Sequence, residues 1–384
     1  MSTNGSKLFN RSTVLKNVTV SINDYELSRE DVQSLEIKYS MFSFPINGNV
    51  VISDNVQLSD LEIWNGETTL TVYAMDIHDK IFERKFRIID VNPEQNEERF
   101  RFYKLKFVDM FYYNMVNTYI SKSFEDTKSN ALMSYIEHTG TKEILESNNV
   151  EIDFDDTEDK NTFAVPANID VLNFFISEFK KKGFRLYQTR YSVKLKKDDF
   201  NSFEEQEEFF SNNTDNDMYG WKIHDFSMKY NAILERNLSK PIEKNVKFDF
   251  NKKEDYTTQN LIDVYSTIEL NETPMDTLQH TTGQKLTTQA EIDPIVHKFE
   301  LEEIYGSNTI LEIVVPGNFK INDIGKIVSV DLKGNPMIKQ TSLEGDTFHS
   351  GKYLVTALSD RFVGDKLVQK LSLHRVDFGF VRKS

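Results

Sequence analysis

The sequence predicts a mainly β protein with α+β inserts, built around two tandem small antiparallel β-barrels. Three observations carry this. Period-two alternation of apolar and polar residues dominates residues 14–110 and returns from residue 221. The 29 Phe and 16 Tyr suit sheets, because flat rings pack on pleated faces. Helical periodicity interrupts the alternation between residues 111 and 200.

In chain order, Val18/Val20/Ile22, Leu35/Ile37/Tyr39, residues 49–53, 69–74, 85–91 and 102–109 each read as a strand. Asn47-Gly48, Asn65-Gly66 and the polar run from Asn92 to Glu98 carry turn chemistry between them. Evenly spaced strands of this kind imply a closed or nearly closed barrel. A helix is expected from Ser129, with Leu132, Met133 and Ile136 on its apolar face and Gly140 as the terminating glycine. A second runs from Asn168 to Gly183, with Asp170 as N-cap and Lys180–Lys182 in the last turn, where the helix dipole favours cations. A hairpin follows at 184–188 and 191–195.

Residues 198–219 form an acidic, Asn-rich joint, and the dense charge of Glu204-Glu205-Gln206-Glu207-Glu208 is expected to keep a linker extended. Alternation resumes at Trp221, Ile223, Phe226, Met228 and Tyr230, whereas 251–290 show no period. Val314-Val-Pro-Gly-Asn-Phe through Val330-Asp331 gives two short strands around a Pro-Gly corner. The segment from Ser350 to Asp377 gives two longer ones, with Gly364-Asp365 between them as the turn. The chain thus divides into a first barrel (1–112), an α+β insert (113–200), an acidic linker (201–220), a second barrel (221–245 plus 298–380) and an extended insert (246–297).

The order of elements, together with Pro316-Gly317-Asn318-Phe319, Gly325 and Gly351-Lys352-Tyr353-Leu354-Val355-Thr356, resembles the baseplate hub proteins of contractile-tailed bacteriophages, a family related to the N-terminal part of VgrG-type spike proteins. The resemblance implies two tail-tube-like barrels per chain and a homotrimer closing a pseudo-sixfold ring. It implies a structural role in the virion, assembled in the host cytoplasm: adapting a sixfold tail tube to a threefold central spike and forming part of the channel for genome ejection. Implied partners are the central spike protein, the tail tube protein or tube initiator, the baseplate wedge proteins and a tape measure protein. DNA would pass through without specific binding.

Composition sets limits on other readings. A net charge of −15 does not suit a nucleic-acid binder, which needs a clustered basic surface, but it does suit a channel wall that repels DNA. Without cysteine there is no disulfide, thiolate site or cysteine nucleophile. The start of the chain, Met1–Lys7, shows no apolar signal region, and no window reaches the roughly 18 consecutive apolar residues of a spanning helix, so no membrane insertion is expected.

No catalytic, cofactor-binding or metal-binding residue is assigned. Asp153, Asp155 and Asp159 provide alternating oxygens, but the loop lacks the central glycine and following bidentate Glu of a calcium site. None of the seven histidines has metal-ligand spacing, and neither a Gly-x-Ser-x-Gly elbow nor a phosphate-binding loop occurs. Trp64 and Trp221 read as packing residues. The alternatives to the structural role are a β-rich cell-wall hydrolase, which two distant carboxylates could supply, and a carbohydrate- or receptor-binding tail protein.

Overall fold

The computed structural model describes residues 13–53, 66–95, 101–118, 122–155, 157, 160–165, 170–197, 203–212, 220–230, 309–332 and 350–376. The expected insert at 246–297, Trp64, Asp159 and three of the histidines (280, 297 and 349) lie outside the described residues. The chain divides into two compact units: residues 1–179, 184–227 and 311–384 form one, and 180–183 with 228–310 the other.

The chain is mainly antiparallel β-sheet with helical inserts. Its first strands are β1 (Thr13–Val14), β2 (Asn17–Ile22), β3 (Tyr25–Glu26), β4 (Val32–Ser40), β5 (Asn47–Ser53), β6 (Thr69–Met75), β7 (Ile81–Gln95) and β8 (Arg101–Asp109). Helix α1 (Met110–Val116), β9 (Lys122–Asp126), α2 (Lys128–His138), α3 (Thr141–Ser147), β10 (Glu151–Phe154), β11 (Asn161–Val165), α4 (Val171–Lys181), β12 (Phe184–Gln188) and β13 (Ser192–Lys197) follow. The last strands are β14 (Glu204–Ser211), β15 (Gly220–Lys222), β16 (Asp225–Tyr230), β17 (Thr309–Pro316), β18 (Lys326–Asp331), β19 (Gly351–Val363) and β20 (Lys366–Arg375).

In the first half, β2, β6, β7, β8, β5 and β4 pair in that spatial order, each antiparallel to the next. This row does not close on itself. Beyond β4 the next strand is β19, β19 pairs with β20, and β20 pairs with β1, which runs directly into β2. The C-terminal hairpin is therefore the missing part of the first barrel wall. Inward positions alternate as a barrel requires: Ile22, Leu35, Ile37, Val50, Ile52, Leu70, Val72, Phe86, Leu105 and Phe107 are all buried.

A second ring uses the same hairpin. Strands β15 and β16 are consecutive, β15 pairing with β14 and β16 with β17. Hydrogen bonds from Ile223 N to Ser211 O (2.8 Å) and from His224 N to Val314 O (2.8 Å) carry the chain from one neighbour to the other. The wall continues from β14 through β18, β19 and β20 back to β17.

Three sequence expectations are corrected. Asn47-Gly48 is strand, not turn: Gly48 is required because a Cβ there would strike Glu36 O and the Phe107 ring. Asn92–Gln95 continues β7, with Pro93 opposite Tyr103 of β8; β6 pairs with β7 only as far as Arg87, so among the described strands this stretch of β7 is paired on one side only, where Pro is tolerated. Residues 204–211, read as linker, form β14, parallel to β18. Its Glu204 and Glu205 are exposed while Phe210 is buried, so the like charges stay in water.

The insert has its own core. Phe124, Leu132, Tyr135, Ile136, Leu145, Val171, Phe175, Phe179, Leu186 and Leu195 pack together, with Phe124, Phe163, Phe174 and Phe175 in mutual ring contact. Helix α4 begins as expected, the Asp170 carboxylate accepting from Leu172 N (2.9 Å) and Asn173 N (3.3 Å). Gly183, at φ +74°, lies two residues beyond its end. Helix α2 is capped by Thr127 and is followed by Gly140 at φ +70°.

Candidate functional site at the barrel junction

Both barrels meet on β19. Its first residues pair with β18 (Val330 opposite Gly351, Ile327 opposite Leu354), and its later ones with β4 (Ala357 opposite Ser40, Phe362 opposite Leu35). The exchange of partners falls at Thr356, where the β19–β20 register carries a bulge. Val355 O accepts from Gly325 N (2.9 Å) on the second barrel's side, and Thr356 O from Met41 N (2.8 Å) on the first's. The Thr356 hydroxyl donates to Ser372 O (3.2 Å), so the buried side chain satisfies itself on the partner strand.

The β17–β18 connection seals this junction. Pro316 ends β17, and its carbonyl accepts from Asn322 Nδ2 (3.2 Å). Gly317 passes so close to β20 that a Cβ would overlap Leu367 Cγ. Asn318 shapes the turn, its Oδ1 accepting from Lys320 N (2.8 Å) and Ile321 N (3.0 Å), while its own N–H donates to Gln369 Oε1 (2.7 Å). Phe319 projects into the first barrel, its ring centroid 5.9 Å from Phe82 and 6.4 Å from Phe362. Gly325 adopts φ +74° beneath Tyr187, whose hydroxyl a Cβ would strike. Thus Pro316, Gly317, Asn318, Phe319, Gly325, Val355 and Thr356 converge. Gly351 and Lys352 lie at the start of β19, where exposed Lys352 pairs with Glu205 at 2.5 Å, and Tyr353 is fully buried.

Sequence reasoning missed the polar centre of this junction. Arg190, at the tip of the β12–β13 hairpin, is 1% exposed, and its Nη2 donates to both oxygens of Asp360 at 2.8 Å. Its Nη1 donates to Asn322 O (2.7 Å) and Phe319 O (3.4 Å), and its guanidinium lies over the rings of Tyr39 and Phe319. Burial disfavours the charge on Arg190, but the Asp360 carboxylate, together with Tyr39, Asp323 and Tyr191, outweighs burial, and the guanidinium holds its proton more tightly than usual. Gln369 Nε2 donates to Asp360 Oδ1 (2.7 Å). Beside it Arg84 donates to Asp109 Oδ1 (2.8 Å), Gln188 Oε1 (2.5 Å) and the carbonyl of Thr189 (3.2 Å). Asp109 also caps α1, accepting from Tyr112 N (3.1 Å). The signal was available in the alternation. Arg84 sits between Phe82 and Phe86, Asp360 between Leu358 and Phe362, and Gln369 between Leu367 and Leu371, each at an inward position.

The exchange is reciprocal. While the insert sends Arg190 to the barrel, the β4–β5 connection sends Phe44 into the insert core, against Phe111 (5.9 Å) and Tyr112 (6.5 Å). Gln188 Nε2 closes the loop on Phe44 O (3.3 Å). Nearby, His374 lies against Phe42 (5.3 Å between centroids), with the Arg185 guanidinium 4.8 Å from the Phe42 ring. Burial and the Arg185 charge push its pKa down to about 4.

The acidic segment at 151–155 holds its own cation. Lys196 Nζ lies 2.8 Å from Asp153 Oδ1 and 2.8 Å from Asp155 Oδ1, and these contacts help keep the Asp153 carboxyl ionised below its ordinary range despite partial burial. Among the described residues no group of three or more His, Cys, Asp or Glu side chains could hold a metal ion, and no helix is long and apolar enough to cross a membrane.

No family model matches the sequence, and no curated protein matches it. Solved structures do. A 43 kDa tail protein of prophage MuSo2 from Shewanella oneidensis superposes with a TM-score of 0.58 at 11% identity, covering 93% of this chain and 98% of that one. The tail protein from Neisseria meningitidis MC58 gives 0.54 at 10% identity, over 93% and 96%. An E. coli component of the type VI secretion system, described as structurally similar to the T4 bacteriophage tail proteins gp27 and gp5, gives 0.51 at 7% identity, over 94% and 77%.

Proposed function

We propose that this chain, which has the fold of phage tail proteins, is a structural tail component: the baseplate hub that joins a sixfold tube to a threefold spike. The observation that carries the reading is the pair of closed β-walls strung along one hairpin. Two barrels per chain let three chains present six, so a homotrimer offers pseudo-sixfold symmetry on one face and true threefold symmetry on the other. The chemistry of the site agrees: Arg190, Asp360 and Gln369 bond in series, and Arg84 bonds to Asp109 and Gln188, which suits a rigid connector. In this reading the tube or its initiator contacts the sixfold side and the spike the threefold side, with wedge and tape measure proteins alongside. The ring lies in the virion and surrounds a channel through which DNA passes unheld, helped by the excess of acid, 61 Asp and Glu against 46 Lys and Arg.

The test is co-expression with candidate spike and tube proteins, followed by light scattering and electron microscopy. The expected result is a three-chain ring with six barrels around an open channel. A protein that stays monomeric at every concentration, with and without those partners, would refute the hub reading.

A further inference from the structure

Arg190 is held by parts of the chain that are remote in sequence: Asp360 in the hairpin shared by both barrels, and the carbonyls of Phe319 and Asn322 in the connection that seals their junction. Arg84, from the first barrel, grips the hairpin on which Arg190 sits, through the backbone oxygens of Thr189 and Arg190 and the side-chain Oε1 of Gln188. A planar fork satisfied on several sides accepts one placement of the β12–β13 hairpin, whereas an apolar side chain of like size would pack acceptably in many. Burying such a pair carries a large desolvation cost, so its net effect on stability is small even where its effect on uniqueness is large. The apolar fastening of the insert is supplied separately, by Phe44 in the insert core.

We propose that Arg190 is a positioning residue that fixes the mutual arrangement of insert, first barrel and junction connection, and that its ion pair with Asp360 contributes to that single arrangement rather than to net stability. This inference does not depend on the hub reading. The bland alternative is an ordinary stabilising ion pair.

The two are separated by hydrogen exchange and thermal melting on the full chain with three variants. Arg190→Met alone leaves Asp360 buried and unpaired, so melting falls clearly. Arg190→Met with Asp360→Asn removes both charges but keeps an oxygen for Gln369, and melting returns to within about 2 °C of the parent. In that double variant, amides of residues 187–192 and 317–325 exchange about tenfold or more faster, while those of β5 and β8 keep their protection. Arg190→Lys keeps the charge without the fork, and the same two segments again exchange fast. The proposal is overturned if the double variant retains slow exchange in both segments, or if it stays as unstable as Arg190→Met or fails to fold. It is equally overturned if Arg190→Lys restores full protection.

Discussion

Ending the chain at His349 removes β19 and β20, and the expected outcome is loss of both barrels rather than a trimmed second one. The hairpin contributes nine buried apolar side chains: Tyr353, Leu354, Val355, Leu358, Phe362, Leu367, Val368, Leu371 and Leu373. At about 1.5–3 kcal/mol for each burial this amounts to roughly 14–27 kcal/mol. Allowing for apolar contact already present in the unfolded chain lowers the smaller figure to about 8 kcal/mol. Typical total stability is about 5–15 kcal/mol, so the deletion removes most or all of it. The loss also bares ladder edges on β4, β18, β1 and β17. Far-UV circular dichroism, amide NMR dispersion and a thermal melt of the shortened chain provide the assay. A cooperative melt with dispersed amides at β5 and β8 would show that the first barrel closes without the hairpin, and the reasoning would be wrong. Adding a peptide of residues 350–376 in excess should restore dispersion.

Further outcomes follow from the junction and the insert. Phe44→Ala should cost about 3–5 kcal/mol in chemical denaturation and leave one transition, because insert and barrel share that side chain; a separate melt of the insert would count against the interlock. Gly325→Ala should cost about 1–3 kcal/mol more than Gly66→Ala. Both glycines have φ near +75°, but only Gly325 lies against Tyr187, whereas a Cβ on Gly66 meets no described residue, so equal losses would refute the clash. His374 has its folded pKa lowered from 6.5 to about 4, so the unfolded chain takes up the proton first as pH falls. Its contribution is full above about 6.5 and declines toward 4, on the order of 3 kcal/mol. Comparing urea midpoints of the parent and His374→Gln across that window should show a flatter profile for the variant.

Much of the wall was legible because burial on one face of a strand writes itself as alternation. Val18/Val20/Ile22 and Leu35/Ile37/Tyr39 appear where they were expected. Helix α4 was legible from Asp170, its broad apolar face and Gly183. Strand β14 was hidden because its run of glutamates reads as a linker, whereas Glu204 and Glu205 are exposed and repulsion between like charges is weak in water. Helices α1 and α3, of seven residues each, are too short to show a period. Closure was the least legible. That β1 pairs with β20 is a fact about residues more than 350 positions apart, Thr13 and Leu367, and nothing in either local pattern names the other. The charged centre was readable one residue at a time, as Arg84, Asp360 and Gln369 in apolar rows, but Arg190 stands on a turn, where a charge attracts no notice.

Because β19 serves the second barrel with Gly351–Leu354 and the first with Ala357–Phe362, the two barrels lie one after the other along a single strand. Traction that draws them apart along that direction meets covalent backbone at Val355 and Thr356, not a side-chain interface that could peel. On either side the ladders to β18 and β4 are loaded in shear, so several hydrogen bonds must fail together before either barrel slips. The antiparallel return strand β20 doubles the rod. Two barrels joined this way pass a longitudinal displacement from one to the next with little stretch, and the weak direction is bending at the Thr356 bulge.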